Sequence, residues 1–429
     1  MTSRILQVDA LARVEGEGAL YVKLDGERIE KLEFRIFEPP RFFEALLAGR
    51  DAHEAPDITS RICGICPIAY IMSASHAVEA AQGIEVTQEI RDLRRMLYCG
   101  EWIQSHVLHA AMLHAPDFLN LHDAMAIAQV EPDLVRTALR LKKLGNSLME
   151  VIGGRAVHPV NTRIGGFYKA PDASAIAALI PELEWGVQAA REVALGFAKF
   201  TFPEDEGDYV FVSLTHPDLY PITEGRIMSS AGLDIDITEF PDHFFETHVA
   251  RSNALHGHMK DGTPYLVGPL ARYANNYDRL SEGCKETAEA AGLGRVVSNP
   301  FQSILVRMIE VQYAIEDALR LARAYQPFQP SFSDAPLREG QGHGATEAPR
   351  GICYHHYSVG ADGRIRTAQI VPPTSQNQPQ IEVDLTRVVQ KFMHLDDDAL
   401  RWRCEQTIRN YDPCISCATH FLKLTVERD

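Results

Sequence analysis

The chain has 429 residues, 45% hydrophobic and 23% charged, an ordinary balance for a globular protein long enough for two or three domains. Its formal charge of −16 excludes the basic face that nucleic-acid binding requires. No run of about eighteen apolar residues is present, and Met1–Asp9 lacks the apolar stretch of a signal peptide, so a cytoplasmic protein with no membrane span is expected.

Residues 4–9, 19–24 and 29–37 alternate or run apolar with β-branched content and read as short antiparallel strands. Arg13-Val14-Glu15-Gly16-Glu17-Gly18 interrupts the first two, with glycines that permit close backbone approach. Arg41–Leu47 has helical spacing and ends at Gly49, and Asp57-Ile58-Thr59-Ser60 offers an N-cap. The segment from Arg61 to Ala81 then reads as a turn leading into a buried helix, with Cys63 and Cys66 near its N-terminus, where the dipole favours thiolates.

Gln88–Leu113, Glu131–Ile152, Pro181–Lys199 and Pro300–Tyr325 carry apolar residues at i, i+3, i+4 and i+7. Helices of this length and number imply a central bundle rather than an α/β sheet. Residues 206–275, richer in Val, Tyr, Thr, Pro and Gly, read as a mixed or β-containing insertion. Glu347-Ala348-Pro349-Arg350-Gly351 reads as an exposed loop, Gly351–Pro372 as two strands around Ala361-Asp362-Gly363, and Arg387–Asn410 as helical. The predicted fold class is α+β, mainly helical, a central long-helix bundle with small β elements near both termini. One unit is expected over residues 1–429. It comprises a β/α segment (residues 1–60), a helical core (residues 61–330), a segment that closes the metal site (residues 331–420) and a tail (residues 421–429).

Eight cysteines are present, four of them in two CxxC pairs: Arg61-Ile62-Cys63-Gly64-Ile65-Cys66 and Asp412-Pro413-Cys414-Ile415-Ser416-Cys417-Ala418-Thr419-His420. Such pairs in a long chain without a signal peptide point to metal or redox chemistry rather than a disulfide scaffold. Cys99, Cys284, Cys353 and Cys404 are isolated and read as packing residues. Four thiolates suit zinc, nickel or iron, so a closed structural zinc site stays open alongside iron–sulfur or another metal. Ligands spread over most of the chain do not fit a zinc knuckle. Glu15, Glu44, Arg350 and His420 supply charged neighbours, each with a plain surface alternative.

The two cysteine motifs resemble those of the nickel–iron hydrogenase large subunit, and the resemblance extends over most of the chain. Arg13–Gly16, Arg41–Asp51, His106–Asp117, Gly153–Gly166 with His158-Pro159, and Glu347–Gly351 follow that family's motifs in order. The resemblance implies Cys63 and Cys414 as terminal nickel ligands. Cys66 and Cys417 would bridge nickel to an iron carrying carbon monoxide and two cyanides. Arg350, with Asp117 and Asp412 nearby, would stand over this centre, Pro349 and Thr374 would contact the cyanides, and Glu15 would relay protons from Cys414. Glu44, the carbonyl of Ile370 and His420 would hold magnesium, a hard cation suited to oxygen donors.

Three departures stand out. Tyr70 occupies a position where the family often has histidine; its hydroxyl can donate toward a bridging sulfur but cannot be an imidazolium. Thr374-Ser375-Gln376-Asn377 lacks the Trp common in membrane-bound uptake enzymes, and the chain is shorter than theirs. All three point to the cytosolic, bidirectional, sulfhydrogenase or NADP-linked type. No nucleotide motif and no further cysteine cluster is present, so electrons would leave through an iron–sulfur small subunit toward flavin- and NAD(P)-binding diaphorase subunits. Family members are usually cleaved by a maturation endopeptidase after the position of His420, which predicts removal of Phe421–Asp429. The rival classes are a dihydrogen sensor, a structural zinc protein, and a non-catalytic complex I-like subunit, whose relatives lack the four cysteines.

Overall fold

The computed structural model describes residues 3–336 and 338–420, so the expected cleavable tail lies outside the described residues. Strands Ser3–Val8, Gly18–Asp25 and Arg28–Ile36 form an antiparallel sheet in chain order. Alternation in the middle strand turns Leu20, Val22 and Leu24 inward and leaves Tyr21 and Lys23 toward the outer face. The short helix Phe43–Leu47 follows.

Four long helices make the centre: Gln88–Val107, Pro132–Gly153, Ile180–Phe197 and Ser303–Ala324. Their boundaries lie close to those read from periodicity. The first carries on into a π-helical stretch, Leu108–His114. It crosses the second backbone to backbone: a Cβ on Gly100 would lie 2.8 Å from the Gly145 carbonyl oxygen, and one on Gly145 2.6 Å from that of Gly100. Every residue from Leu93 to Val107 is buried, so this stretch of the helix has no solvent face. Its arginines are therefore paired, Arg94 with Glu79 and Arg95 with Asp317, and Glu101 is satisfied by the backbone N–H groups of Ile68 and Ala69.

The segment 206–275 is mixed, as its composition suggests. It holds the sheet Val212–Thr215, Arg226–Ser229 and Asp234–Ile235, the hairpin Phe244–His248 with Leu255–Met259, and the helix Pro269–Asn276.

The C-terminal region departs from the sequence reading in three places. Strand Gly340–Ala348 joins Gly351–Val359 and Ile365–Val371 in one sheet, although Gly-Gln-Gly-His-Gly offers no apolar alternation to announce it. The glycines serve contact instead. Cβ atoms on Gly340, Gly342 and Gly344 would lie 2.3, 1.9 and 2.2 Å from the carbonyl oxygens of Ala81, Ala77 and Ser73. The strand thus lies flat on the helix Pro67–Gln82, which starts at Cys66. The polar stretch before Arg387 is also helical: Pro373–Phe392 begins with Pro near its N-terminus and buries Thr374, Ser375, Gln376 and Asn377. Lastly, the loop expected to be exposed is a buried turn, with Arg350 only 3% accessible. Helix Pro67–Gln82 packs on the two strands this turn joins, and Arg272 of helix Pro269–Asn276 binds the carbonyls of Ala348 and Pro349.

Candidate metal centre

The two chain ends meet at the sulfurs. Cys63 and Cys66 sit in the turn ahead of helix Pro67–Gln82, and Cys414 caps the single turn of helix Ile415–Ala418 that contains Cys417. The four Sγ atoms lie within 4.8 Å of one another and all four residues are buried. Cys63 approaches Cys414 at 3.3 Å, Cys66 approaches Cys417 at 3.6 Å, and Cys414 and Cys417 are 2.7 Å apart. The N–H groups of Ile65 and Cys66 point at the Cys63 sulfur, at 3.3 and 3.4 Å. Hydrogen bonds from its neighbours, Cys414 first, push the Cys63 thiol well below the usual range, whereas burial pushes Cys414 and Cys417 up. Four buried sulfurs this close ionise together only around a cation, and the donor set is soft.

Gly16 makes the N-terminal contribution possible. At φ 90° it presses on Ile415, where a Cβ would meet the Ile415 Cβ at 2.6 Å. Ile415 N–H donates to the Glu15 carbonyl at 3.0 Å, and Ser416 N–H donates to the Glu15 carboxylate at 3.0 Å. Burial lifts the Glu15 carboxyl above its ordinary range. The second acid at this seam, Glu38, accepts from Ser416 Oγ at 2.6 Å and escapes the sequence reading, standing alone between Phe37 and Pro39-Pro40.

Arg350 points back to the second cysteine motif. Its Nε donates to the Asp412 carbonyl at 2.6 Å and its Nη2 to the Asp412 carboxylate at 3.0 Å. Burial works against the Arg350 charge, but Asp412 and then the cysteine sulfurs outweigh it, so the guanidinium stays protonated. Asp117, expected near Arg350, has its carboxylate bound by Arg13 and Arg409, at 2.6 and 2.7 Å. Two arginines from distant segments converge on it, which the local sequence could not reveal.

Thr374 Oγ1 accepts the Cys414 N–H at 3.0 Å. Pro349 lies in the same turn as Arg350, its carbonyl bound by Arg272 at 2.9 Å. Tyr70 is 1% exposed, yet its hydroxyl has no hydrogen-bond partner and so donates to neither Cys66 nor Cys417. The phenol nonetheless feels the charges of Cys417 and Cys66 after the larger effect of burial, which puts an orphaned polar atom near the sulfurs, where a further group would satisfy it.

Glu44, Ile370 and His420 also come together. Glu44 accepts the Ile370 N–H at 2.7 Å, His420 Nε2 lies 2.7 Å from the Ile370 carbonyl oxygen, and the Glu44 and His420 side chains are 3.9 Å apart. Glu101 is a further site residue that the sequence reading does not single out. It accepts the Ile68 and Ala69 N–H groups at 2.6 and 3.2 Å, capping the cysteine helix, and burial raises its carboxyl well above the usual range. A lone acid in the apolar run Met96–Ile103 is the available signal.

Comparison with known proteins gives concordant findings. Residues 41–133 and 259–420 match the family model described as nickel-dependent hydrogenase. The alpha chain of sulfhydrogenase 1 of Pyrococcus furiosus is 34% identical over 424 residues, 98% of each chain. The matching chain of the F420-non-reducing hydrogenase of Methanothermobacter thermautotrophicus is 29% identical over 97% of this chain and 94% of its own. Among solved structures, an NAD+-reducing NiFe hydrogenase in the H2-reduced state superposes with a TM-score of 0.89 at 26% identity, covering 97% of this chain and 99% of that one.

Proposed function

Since the chain belongs to the nickel-dependent hydrogenase family, we propose that its residues carry out reversible heterolytic cleavage of dihydrogen as the catalytic large subunit of a nickel–iron hydrogenase. The observation that carries this reading is the meeting of both chain ends in four buried sulfurs, with Arg350 and Glu15 alongside.

In this reading Cys63, Cys66, Cys414 and Cys417 would hold a nickel–iron centre whose iron would carry carbon monoxide and two cyanides. When bound, the centre supplies the Lewis acid that polarises dihydrogen and accepts its electrons. The chain supplies the rest. Cys414 Sγ takes the proton and Glu15, held against Ile415 and Ser416 with its carboxyl raised by burial, takes it from Cys414. Arg350, held by Asp412, keeps a fixed positive charge beside the sulfurs. Pro349 and Thr374 shape the pocket for the cyanides, and Tyr70 offers its free hydroxyl to the same region. Asp117 acts at one remove, fixing Arg409 in the helix that leads to Asp412. Glu44, the Ile370 carbonyl and His420 hold magnesium and tie the last described residue to the sheet.

A structural zinc site would use the same four sulfurs, but it has no use for a buried arginine–aspartate pair and a buried acid beside them. Among the described residues no second group of cysteines that could hold an iron–sulfur cluster is found, so electrons leave through a partner, an iron–sulfur small subunit. A cleft of about 560 Å³ next to the first cysteine motif, lined by Arg50, Arg61 and Arg163, suits that partner. Its exposed rim includes Leu46, Val160 and Tyr168, at 47%, 52% and 65% accessibility. No helix among the described residues is long and apolar enough to cross a membrane. We infer a cytoplasmic complex with flavin- and NAD(P)-binding diaphorase subunits and NADP(H) as acceptor; the likeness to an NAD+-reducing hydrogenase supports a pyridine-nucleotide acceptor. A maturation endopeptidase cutting after His420 completes the reading.

The test is infrared spectroscopy of protein matured in its own host, in the window where metal-bound carbon monoxide and cyanide absorb. One carbonyl and two cyanide bands that move under dihydrogen are expected, with nickel and iron by metal analysis. Zinc without bands would refute the reading. Intact mass of the active protein checks the tail: a mass that still includes Phe421–Asp429 would sink the cleavage.

A further inference from the structure

The turn that carries Arg350 has an unusual support behind it, a fully buried arginine on the neighbouring helix Pro269–Asn276. Arg272 is 0% exposed, and a guanidinium has five N–H donors in a fixed fork. All five are engaged. Nε and one Nη2 donor grip Glu310 at 2.8 and 2.7 Å, and one Nη1 donor reaches the Glu347 carboxylate at 2.9 Å. The remaining two hold the carbonyl oxygens of Ala348 at 2.8 Å and Pro349 at 2.9 Å. The guanidinium also lies over the Trp102 ring, 4.4 Å from its centre, and Trp102 Nε1 donates to the Glu347 carbonyl at 2.8 Å. Three consecutive carbonyls, 347 to 349, are thereby tied down immediately before Arg350. On the far side, Gly268 gives the Arg350 carbonyl room, since a Cβ there would approach it to 2.7 Å.

We propose that Arg272 is the positioning residue for the Pro349-Arg350 turn, setting where the Arg350 guanidinium stands relative to the four sulfurs. Arg272 touches neither the sulfurs nor Arg350's side chain; it acts through two backbone carbonyls. Simple core stability is a weak reason for it, because a buried ion cluster is often replaceable by apolar side chains at no loss. A fork that matches two carboxylates and two successive carbonyls is better explained by geometry that must be held. Lysine, with three donors on one nitrogen and no plane, cannot reproduce it.

The proposal rests on the hydrogenase reading, so the experiment is arranged to separate the two. Wild-type, Arg272→Lys and Trp102→Phe proteins are matured in the host as the full complex. Nickel and iron content, infrared bands, and kcat and KM for dihydrogen are measured for each. Arg272→Lys is expected to keep its metals and its KM, to shift or broaden the cyanide bands as Pro349 moves, and to lose on the order of 10- to 100-fold in kcat. Trp102→Phe keeps a ring under Arg272 but frees the 347 carbonyl, and a smaller change of the same kind is expected. If Arg272→Lys fails to load metal, Trp102→Phe decides: altered cyanide bands support the clamp, and wild-type bands with wild-type kcat overturn it. Loaded Arg272→Lys with unchanged bands and kcat within about twofold of wild type overturns it as well. A wild-type protein without bands would refute the functional reading and the clamp's role together.

Discussion

Glu15→Gln separates proton handling from architecture. The amide oxygen of glutamine can still accept the Ser416 N–H that now reaches the carboxylate at 3.0 Å, and the backbone bond from Ile415 N–H to the residue 15 carbonyl, also 3.0 Å, is untouched. Gly16 still lies against Ile415, so the seam that brings the N-terminal motif to Cys414 persists. What disappears is a titratable oxygen whose pKa burial raises above the ordinary carboxylate range. Removing a general base that acts in the rate-limiting transfer costs roughly 100- to 10,000-fold, or about 3 to 5 kcal/mol in the barrier. Stability should change by less than about 1 kcal/mol, because a neutral isostere replaces an acid that burial disfavours as an anion. The assay is dihydrogen-driven reduction of a viologen dye, with nickel, iron and infrared bands measured on the same sample. Full metal loading with kcat within about threefold of wild type would refute Glu15 as the proton acceptor.

Three further outcomes follow from the packing and the chemistry. Gly342→Ala drives a Cβ to 1.9 Å from the Ala77 carbonyl oxygen, so strand and helix must separate; a loss of about 3 kcal/mol or more is expected, and an unchanged urea midpoint would contradict the contact. His256 is 2% exposed and burial, with Arg251 and His258, pushes its imidazole down to about 3. The unfolded chain binds that proton near 6.5 and the folded chain does not, so this contribution to stability is whole above 6.5 and declines as the pH falls toward 3. The slope approaches about 1.4 kcal/mol per pH unit, and urea titrations of His256→Asn between pH ~6.5 and ~4 should be flatter than wild type; parallel curves would rule it out. Cys414→Ser exchanges one buried atom at the sulfur cluster and should leave circular dichroism unaltered while nickel falls below about a tenth of wild type, since a soft thiolate ligand is gone; retention of full nickel would remove Cys414 from the ligand set.

Much of this molecule is legible along the chain. The four long helices declare themselves because a 3.6-residue apolar period survives burial, and the first sheet does so because its middle strand has one wet face. The two CxxC pairs announce a metal because so few residue types bind soft cations. The strand Gly340–Ala348 stays hidden, since its signal is the absence of side chains, needed only because a helix from residues 67–82 lies across it. Likewise the helix from Pro373 is polar and buried, so neither period nor composition marks it.

The sequence alone determined the ligand chemistry, the helical class and the family, because each depends on residue types and local spacing. Only the tertiary structure decided which charges face one another. Arg350 is buried on Asp412 while Asp117 answers to Arg13 and Arg409, Glu101 caps the cysteine helix, and Arg272 holds the turn behind the sulfurs. Each of these pairings joins segments tens to hundreds of residues apart in the buried interior. There the partner rather than the residue type sets the energy of a charge, and partners are chosen by how the chain packs.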